Sequence, residues 1–332
     1  MKQRGAALLV ALLTVALVAT LASAAVWQQW RSTEVEQAER DRQQATWVLT
    51  GALDWARLIL REDARTNQNT GAGDHLAEPW AVGLEEARLS SFLAADKTGD
   101  PPPALDAFLS GAITDQQGLL NVANLDKQGT VSKDDVQAFE RLFEQLGLPP
   151  EQVLPAAQAW LRSSTVATAA APGATTADAA PTGAERVLRP QRVSQLVWLG
   201  WSPATVRRLA PYVTVLPERT PVNLNTAPAV VLRAAIAGLD RAQAARLVSQ
   251  RALQPFKTLT DATALVAGLP LNGDAHSTQS RYFTVLGKLR LGERVVAEQS
   301  LVVRNGLDVR TLWRERVPPP AEDRAARPSP AS

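Results

Sequence analysis

Residues 6–26 read AALLVALLTVALVATLASAAV, an uncharged run of 21 residues near the start of a 332-residue chain. As an α-helix this run would be about 31 Å long, which is enough to cross the hydrocarbon core of a bilayer. Trp27 and Trp30 follow immediately, at the position where aromatic side chains collect on a membrane surface. The stretch therefore predicts a single membrane-spanning helix with the rest of the chain on its C-terminal side.

The charges on the two sides of this run differ. Lys2 and Arg4 precede it, whereas residues 27–44 hold three arginines and four acidic residues. Because positive charge is retained on the cytoplasmic side, this asymmetry predicts a cytoplasmic N-terminus and an exported body.

Three interpretations of the N-terminus are open. Ala22-Ser23-Ala24 is an acceptable cleavage site for a secretory signal. A plain signal anchor would retain the whole segment. A prepilin-like leader would instead be cut after Gly5, on the cytoplasmic side of an apolar segment that stays in the protein.

The residues after the apolar run continue a helical pattern. Apolar side chains recur at helical spacing from Ala45 to Ile59, and no proline occurs between residues 6 and 78. We therefore expect one helix of about 55 residues from Ala6 to about Arg61, half of it in lipid and half an amphipathic stalk. The alternative is a separate short helix that packs on its own domain.

Composition excludes several classes of function. The chain has no cysteine, which excludes disulfides, thiolate zinc sites and a catalytic thiol. Only two histidines are present, His75 and His276, and both lie in polar segments that predict solvated loops. With 35 basic and 33 acidic residues, the net charge of +2 predicts no polyanionic partner.

Most of residues 126–276 has helical patterns separated by turn signals. Residues 66–79 and 163–184 are rich in loop-forming or small residues, and 163–184 is of low complexity. The expected helix starts are a capping box at Ser132 and Asp135, a helix over 151–162, Ser202 before Pro203, Thr226, and a capping box at Asp240 and Gln243.

The strands are expected on either side of this helical part. Residues 111–120 have the pattern of a strand pair with a turn at Asp115–Gly118. Alternation of apolar and polar residues from Tyr282 onward predicts three antiparallel strands, with a hairpin at Asn305-Gly306. The fold class is therefore α+β.

Several short patterns resemble functional sites but favour structural roles. Residues 126–132 resemble the start of a calcium-binding EF-hand loop, but the glycine at the sixth loop position and the glutamate at the twelfth are missing, so a capped turn is favoured. Gly200-Trp201-Ser202 lacks the second glycine of a nucleophile elbow, so Ser202 is favoured as a helix cap. Residues 222–251 form a helix-hairpin-helix pattern, but Asp240 replaces a phosphate-binding glycine. The nearby arginines are expected on a solvated face: Arg233, Arg241, Arg246 and Arg251.

Taken in order along the chain, these stretches resemble protein K, a minor pseudopilin of the bacterial type II secretion system. The resemblance covers nearly all of residues 1–315. It is carried by Arg4-Gly5 before the apolar run, by GLLNVANL at 118–125, by LAPYVTVLP at 209–217, by VNLNTAP at 222–228, and by the closing strands from Tyr282-Phe283 to Arg304.

The resemblance implies a type IV pilin-like fold, with a long helix on a small antiparallel sheet and a large inserted all-helical domain containing a SAM-like unit. It implies cleavage by a prepilin peptidase between Gly5 and Ala6 and methylation of the Ala6 amine. Val10, the fifth mature residue, takes the place where most pilin-like subunits carry glutamate. The implied role is a structural, non-enzymatic subunit at the pseudopilus tip, in contact with minor pseudopilins I and J.

The resemblance also fixes the expected organisation and location. The body would be periplasmic and the anchor would lie in the inner membrane of a Gram-negative bacterium. The expected segments are a leader (1–5), a membrane helix (6–26), a stalk (27–65), a first pilin-like part (66–125), the inserted helical domain (126–276), closing strands (277–316) and a disordered tail (317–332).

One departure from the family concerns metal binding. Where relatives carry an acidic Asp-Trp-x-Asp-x-Asp segment, this chain has Ala159–Ser164, and Ala184–Leu188 replaces a following acidic stretch. Because calcium needs several oxygen ligands, we expect no cofactor, and the calcium that the resemblance implies is in doubt. The alternative functions are a generic membrane-anchored periplasmic binding protein and a helix-hairpin-helix protein for DNA uptake, although no nucleic-acid partner is expected.

Overall fold

The first helix runs without interruption from the apolar segment into the body of the protein. The structure is a computed structural model that describes residues 4–89, 107–169, 188–266, 268–292 and 294–318. Helix α1 spans Arg4–Thr70, and its 67 residues extend about 100 Å. The expected single long helix is confirmed, and the alternative of a separate second helix is wrong.

Helix α1 continues past its expected end. The loop expected over residues 66–79 begins only at Gly71, which adopts a φ of +66° and donates its N–H to the carbonyl of Asn67 at 2.8 Å. Asn67 itself is helical, and its amide donates to Glu78 Oε1 at 2.9 Å. The last turn of α1 is thus stabilised by the side chain of Glu78, which lies after the helix. The local sequence pattern does not reveal this contact.

The other α-helices whose full extent the structure describes are shorter and lie within residues 133–263. They are α2 (Lys133–Gln145), α3 (Val153–Ala169), α4 (Pro203–Leu209), α5 (Ala229–Ala235), α6 (Arg241–Leu253) and α7 (Leu259–Thr263). Short 3₁₀ helices occur at Pro79–Ala81, Gln116–Gly118, Val122–Leu125, Pro150–Gln152 and Val193–Leu199.

The described strands fall into one large sheet and three small ladders. They are β1 (Leu84–Arg88), β2 (Ala107–Asp115), β3 (Leu120–Asn121), β4 (Asp126–Lys127), β5 (Thr130–Val131), β6 (Val213–Thr214), β7 (Val222–Asn223), β8 (His276–Ser277), β9 (Tyr282–Leu291), β10 (Arg294–Asn305) and β11 (Asp308–Val317). The large sheet is antiparallel throughout, in the order β1-β2-β9-β10-β11. The three expected closing strands are confirmed, and Gly306 turns between β10 and β11 with a φ of +59°.

Helix α1 packs along one face of this sheet, and the two together form what we call the scaffold. Leu49 packs with Leu289, near the end of β9, whereas Leu60 packs with Phe283, near its beginning. The beginning of β9 therefore lies farthest from the apolar N-terminal half of α1. In that half, all described side chains from residue 8 to residue 37 are exposed.

Between β2 and β9 the chain forms a second body, which we call the helical domain (residues 116–280). One continuous core of buried apolar side chains fills it, including Phe139, Phe143, Trp160 and Trp201. Three expected caps are confirmed, at Ser132, Ser202 and Asp240, whose side chains accept from the N–H groups of Asp135, Thr205 and Gln243.

Three local expectations are wrong. The turn expected at Asp115–Gly118 is present, but the strands on either side of it do not pair with each other: β2 pairs with β1 and β9, and β3 pairs in parallel with β6 of the helical domain. The helix expected after Thr226 is capped by Pro228, because the Thr226 hydroxyl donates to Asp115 instead. The low-complexity loop expected from residue 163 is helical up to Ala169, with Ser163 buried.

Some expectations fall on residues that the structure does not describe. These are residues 1–3 of the leader, residues 170–184 of the low-complexity stretch, and the tail from residue 319. They stay predictions.

Candidate functional site

The chain enters and leaves the helical domain at one place, where α1 ends. Asp115 is the last residue of β2, and Ser280 lies two residues before β9. Around them the structure gathers four buried carboxyl groups and one arginine, which we call the junction cluster. Its members are Asp63, Asp74, Glu78, Asp115, Ser280 and Arg304.

Arg304, near the end of β10, connects three parts of the chain. Its guanidinium donates to Asp63 Oδ2 of α1 at 2.7 Å, to Asp74 Oδ1, and to the carbonyl of Ser280 at 2.9 Å. It also lies over the Phe283 ring, 4.9 Å from the ring centroid. One buried cation thus fixes the end of α1, the loop after it and the return point of the helical domain.

Glu78 binds the same loop to the scaffold. Its Oε2 accepts from the indole Nε1 of Trp80 at 2.7 Å and from the backbone N–H of His75 at 2.8 Å. Trp80 is buried and meets the Phe283 ring edge to face, with centroids 5.2 Å apart. The carboxylate therefore satisfies a buried indole N–H, which otherwise would be costly to desolvate.

Asp115 joins the scaffold directly to the helical domain. Its Oδ2 accepts from Thr226 Oγ1 and Ser280 Oγ, both at 2.6 Å, and from Asn223 Nδ2 at 3.1 Å. Its Oδ1 accepts from the N–H of Gln117 at 2.7 Å. Burial raises the pKa of Asp115 to about 6, although these hydrogen bonds act in the opposite direction.

The pKa of Asp63 is also raised. Burial is the main cause, the nearby Glu78 carboxylate adds to it, and Arg304 opposes it. The two acids thus share a physical property: each favours its protonated form more than an exposed carboxyl does.

The asparagines in the stretches that resemble the family hold the helical domain together. Asn121 Nδ2 donates to the carbonyl of Glu218 at 2.7 Å, and its Oδ1 accepts from the N–H of Leu216 at 3.1 Å. Asn225 exchanges two bonds with the backbone of Phe256, at 2.8 and 2.9 Å. Each side-chain amide hydrogen-bonds a backbone carbonyl and a backbone N–H of a loop, in the way that a neighbouring strand would. This explains why these positions carry asparagine.

A second contact fastens the helical domain over the outer face of the sheet. The Arg192 guanidinium lies 3.5 Å from the centroid of the Trp313 ring on β11, and its Nε is 3.1 Å from Glu315 Oε2. This contact adds to the junction cluster and to the packing of Leu216 of the helical domain against Tyr282 and Leu301 of the sheet.

The acids of the junction cluster do not fit a metal site. Carboxylate oxygens of Asp63, Asp74 and Glu78 come within 4.8 Å of one another, but Arg304 already binds the first two. At the position where relatives carry carboxylates, Ala159–Ser164 lies within α3, and Trp160 packs under the Arg189 guanidinium. That position therefore does not fit calcium, which needs several oxygen ligands.

The residues expected at the N-terminus lie far from this junction. Gly5 and Ala6 are in the first turns of α1, and Val10 is on the same helix with 63% of its surface exposed.

Residues 126–132 form a tight hairpin in which Asp126 accepts from the N–H of Gly129 at 2.8 Å, as expected for a capped turn.

Two expectations about polar side chains are wrong. His276 is buried in β8, where its Nδ1 accepts from the N–H of Asn272 at 3.3 Å, and burial lowers its pKa. Arg251 is buried as well and donates to the carbonyls of Leu224 and Ala227, both at 2.6 Å. The side chain that was expected on a solvated face instead satisfies the carbonyls of the loop before α5.

Comparison with known proteins agrees with this architecture. The family described as "Type II secretion system (T2SS), protein K" matches residues 118–218 and residues 222–284. Type II secretion system protein K of Pseudomonas aeruginosa is 30% identical over 315 residues, which cover 88% of this chain and 86% of that protein. The protein of the same name from Pectobacterium carotovorum is 27% identical and covers 95% of this chain and 96% of its own length.

A solved structure has the same fold. In the crystal structure of the GspK-GspI-GspJ complex from the enterotoxigenic Escherichia coli type 2 secretion system, one chain superposes with a TM-score of 0.62 at 19% identity. The match covers 85% of this chain and 99% of that one. The pilin-like α+β fold is thus confirmed, and the chain belongs to the type II secretion system protein K family, the minor pseudopilin K family.

Proposed function

We propose that this chain is the tip subunit of the type II secretion pseudopilus. The observation that carries the proposal is the position of the helical domain. The chain leaves the scaffold at Asp115 and returns at Ser280, beside the C-terminal end of α1 and far from the apolar half of that helix. The helical domain is therefore attached at the end that points away from the membrane.

This position supports a capping role. In this proposal, neighbouring subunits lie above and below one another along the pseudopilus. A large body at the membrane-distal end occupies the space above this subunit. The role is structural and non-catalytic, because every polar group of the junction cluster serves to hold chain segments together.

The partners are minor pseudopilins I and J, by analogy with the solved complex, in which a chain of this fold assembles with two other subunits. We expect the periplasmic parts of the three proteins to form a 1:1:1 complex with this chain at one end. Immunogold labelling of pseudopili tests the position directly. Label at one end supports the tip assignment, and label distributed along the fibres would refute it.

The N-terminus orients the protein and is processed. We infer that Gly5 is removed with the leader and that Ala6 becomes an N-methylated first residue, with the N-terminus cytoplasmic and the body periplasmic. Mass spectrometry of the N-terminal peptide from membranes is expected to find N-methyl-Ala6. A start at Ala25, or an intact Met1 in cells with an active prepilin peptidase, would rule out this processing.

Val10 fits a subunit with no neighbour above it. A carboxylate at this depth is costly in the membrane unless a neighbouring amine neutralises it. We therefore expect Val10→Glu to hinder membrane insertion or to leave assembly unchanged, as measured by secretion and by recovery of the three-subunit complex. A variant that assembled better than the parent would contradict this role for Val10.

The helix-hairpin-helix element serves packing in this proposal. Leu239 at the hairpin is buried, and Asp240 caps α6 by accepting from the N–H of Gln243 at 2.7 Å. Because an acid occupies the place of a phosphate-binding glycine and Arg251 points inward, a role in DNA uptake is not favoured.

A further inference from the structure

The junction cluster holds more acid than base. Asp63, Asp74, Glu78 and Asp115 are each less than 10% exposed, and Arg304 binds two of them, Asp63 and Asp74. With all four carboxyls ionised, one guanidinium would leave three negative charges uncompensated. Because buried charge is costly without a partner, the cluster favours the protonated forms of Asp63 and Asp115, whose pKa values burial raises.

Other charged groups nearby do not correct this imbalance. His75 Nε2 lies 4.0 Å from Glu78 Oε1 and adds a positive charge only when protonated. Arg219 and Arg281 line the same polar cavity of about 300 Å³ as Asp74 and Arg304. They are already bound to other acids: Arg219 lies 2.8 Å from Asp135 Oδ2, and Arg281 lies 3.2 Å from Glu218 Oε1.

The helical domain faces Asp115 with neutral groups. Asn223 and Thr226 donate to its carboxyl from the helical domain, and Ser280 donates from the return point. The amide of Asn223 also donates to the carbonyl of Asp74 at 3.2 Å. Asp115, whose described partners are all neutral donors, is thus the acid through which Asn223 and Thr226 hold the helical domain.

We propose that the junction cluster is a proton-dependent lock, which holds the helical domain firmly on the scaffold while Asp63 and Asp115 are protonated and loosens as these two carboxyls ionise. The lock goes beyond the tip role and does not depend on it, since it concerns only the two bodies of this chain.

The direction of the pH dependence follows from the linkage between proton binding and opening of the two bodies. Burial raises the pKa of Asp63 and Asp115 in the closed state, whereas water would restore an ordinary carboxyl pKa near 4 in an opened state. The closed state then binds more protons than the opened state. The free energy by which these protons stabilise the closed state is fully present below about pH 4 and is lost as the pH rises through the raised pKa values. Opening is expected to increase up to about tenfold per pH unit for each carboxyl that releases a proton.

The absence of cysteine makes a direct test simple. Spin labels on Arg241→Cys in the helical domain and Arg310→Cys on β11, both exposed, report the distance between the two bodies in the full chain in detergent. Between pH 5 and pH 8 we expect the distance distribution to broaden severalfold. The double variant Asp63→Asn/Asp115→Asn is expected to give the same distribution at both pH values.

Two controls define the other outcomes. A label pair within the helical domain, Glu151→Cys and Arg241→Cys, is expected to be unchanged by pH, and Asp308→Asn, an exposed acid on β11, is expected to keep the parental response. An unchanged distribution in the parent chain overturns the lock, even if the double variant fails to fold. The lock is also overturned if the distance distribution of the pair within the helical domain broadens with pH. It is overturned as well if the double variant broadens with pH as much as the parent chain does.

Discussion

Replacing Arg304 by alanine is expected to destabilise the protein by about 3–5 kcal/mol at neutral pH. The substitution removes the cation that binds Asp63 and Asp74, and among the described residues it leaves both carboxylates buried without a counter-charge. It also removes the bond to the Ser280 carbonyl and the contact with the Phe283 ring. Chemical unfolding of the full chain in detergent, followed by circular dichroism, measures the change.

Arg310→Ala is the matched control for this substitution. Arg310 is on the neighbouring strand, but 73% of its side chain is exposed and its partner is the exposed Asp308. Its loss is therefore expected to change the free energy of unfolding by no more than about 0.5 kcal/mol. The effect of Arg304→Ala is expected to be smaller at pH 5, because protonation removes unpaired negative charge. An effect below about 1 kcal/mol at neutral pH would show that Arg304 is not the partner these acids depend on.

The elements that sequence predicts well are those whose signal is local. The 21-residue apolar run and the spacing after Ala45 suffice to predict α1, and the capping boxes at Ser132 and Asp240 correctly mark two helix starts. The alternation after Tyr282 predicts β9, β10 and β11 in the same way. In each case the residues that determine the element lie within a few positions of it.

The junction cluster is different, because its members are up to 241 residues apart in the chain. Nothing in the sequence near Arg304 indicates that it binds Asp63. Thr226 resembles a helix cap in its local sequence, because its true partner, Asp115, lies 111 residues away in the chain. One signal was nevertheless present. Asp63 continues the buried stripe of α1 after Leu53, Ala56 and Leu60, and an acid at such a position requires a buried partner.

The asparagines show an intermediate case. VNLNTAP and GLLNVANL are specific enough to carry a family resemblance, yet their spacing does not say what the amides bind. The structure shows that Asn121 and Asn225 each bond backbone groups of a distant loop. Short polar motifs of this kind identify a fold because their side chains hydrogen-bond buried backbone groups that have no backbone partner in that fold.

Replacing Trp80 by alanine is expected to cost about 3–5 kcal/mol, since it deletes a large side chain of which only 1% is exposed. The loss includes the edge-to-face contact with Phe283 and the indole bond to Glu78. Relaxation will not readily fill the space, because Trp80 already lines an apolar cavity of about 250 Å³ between α1 and the sheet. Trp80→Phe separates the two contributions, since it keeps most of the packing and loses the bond.

The phenylalanine variant is expected to lose about 1–3 kcal/mol, because the buried Glu78 carboxylate loses the indole donor and keeps only the N–H of His75 at Oε2. Trp47→Ala is the matched control, because Trp47 is on the same scaffold with 77% of its surface exposed. It is expected to change the free energy of unfolding by less than about 0.5 kcal/mol. Equal losses for the alanine and phenylalanine variants would assign the whole effect to the bond with Glu78. Equal losses for Trp80→Ala and Trp47→Ala would show instead that Trp80 is not part of the core between α1 and the sheet.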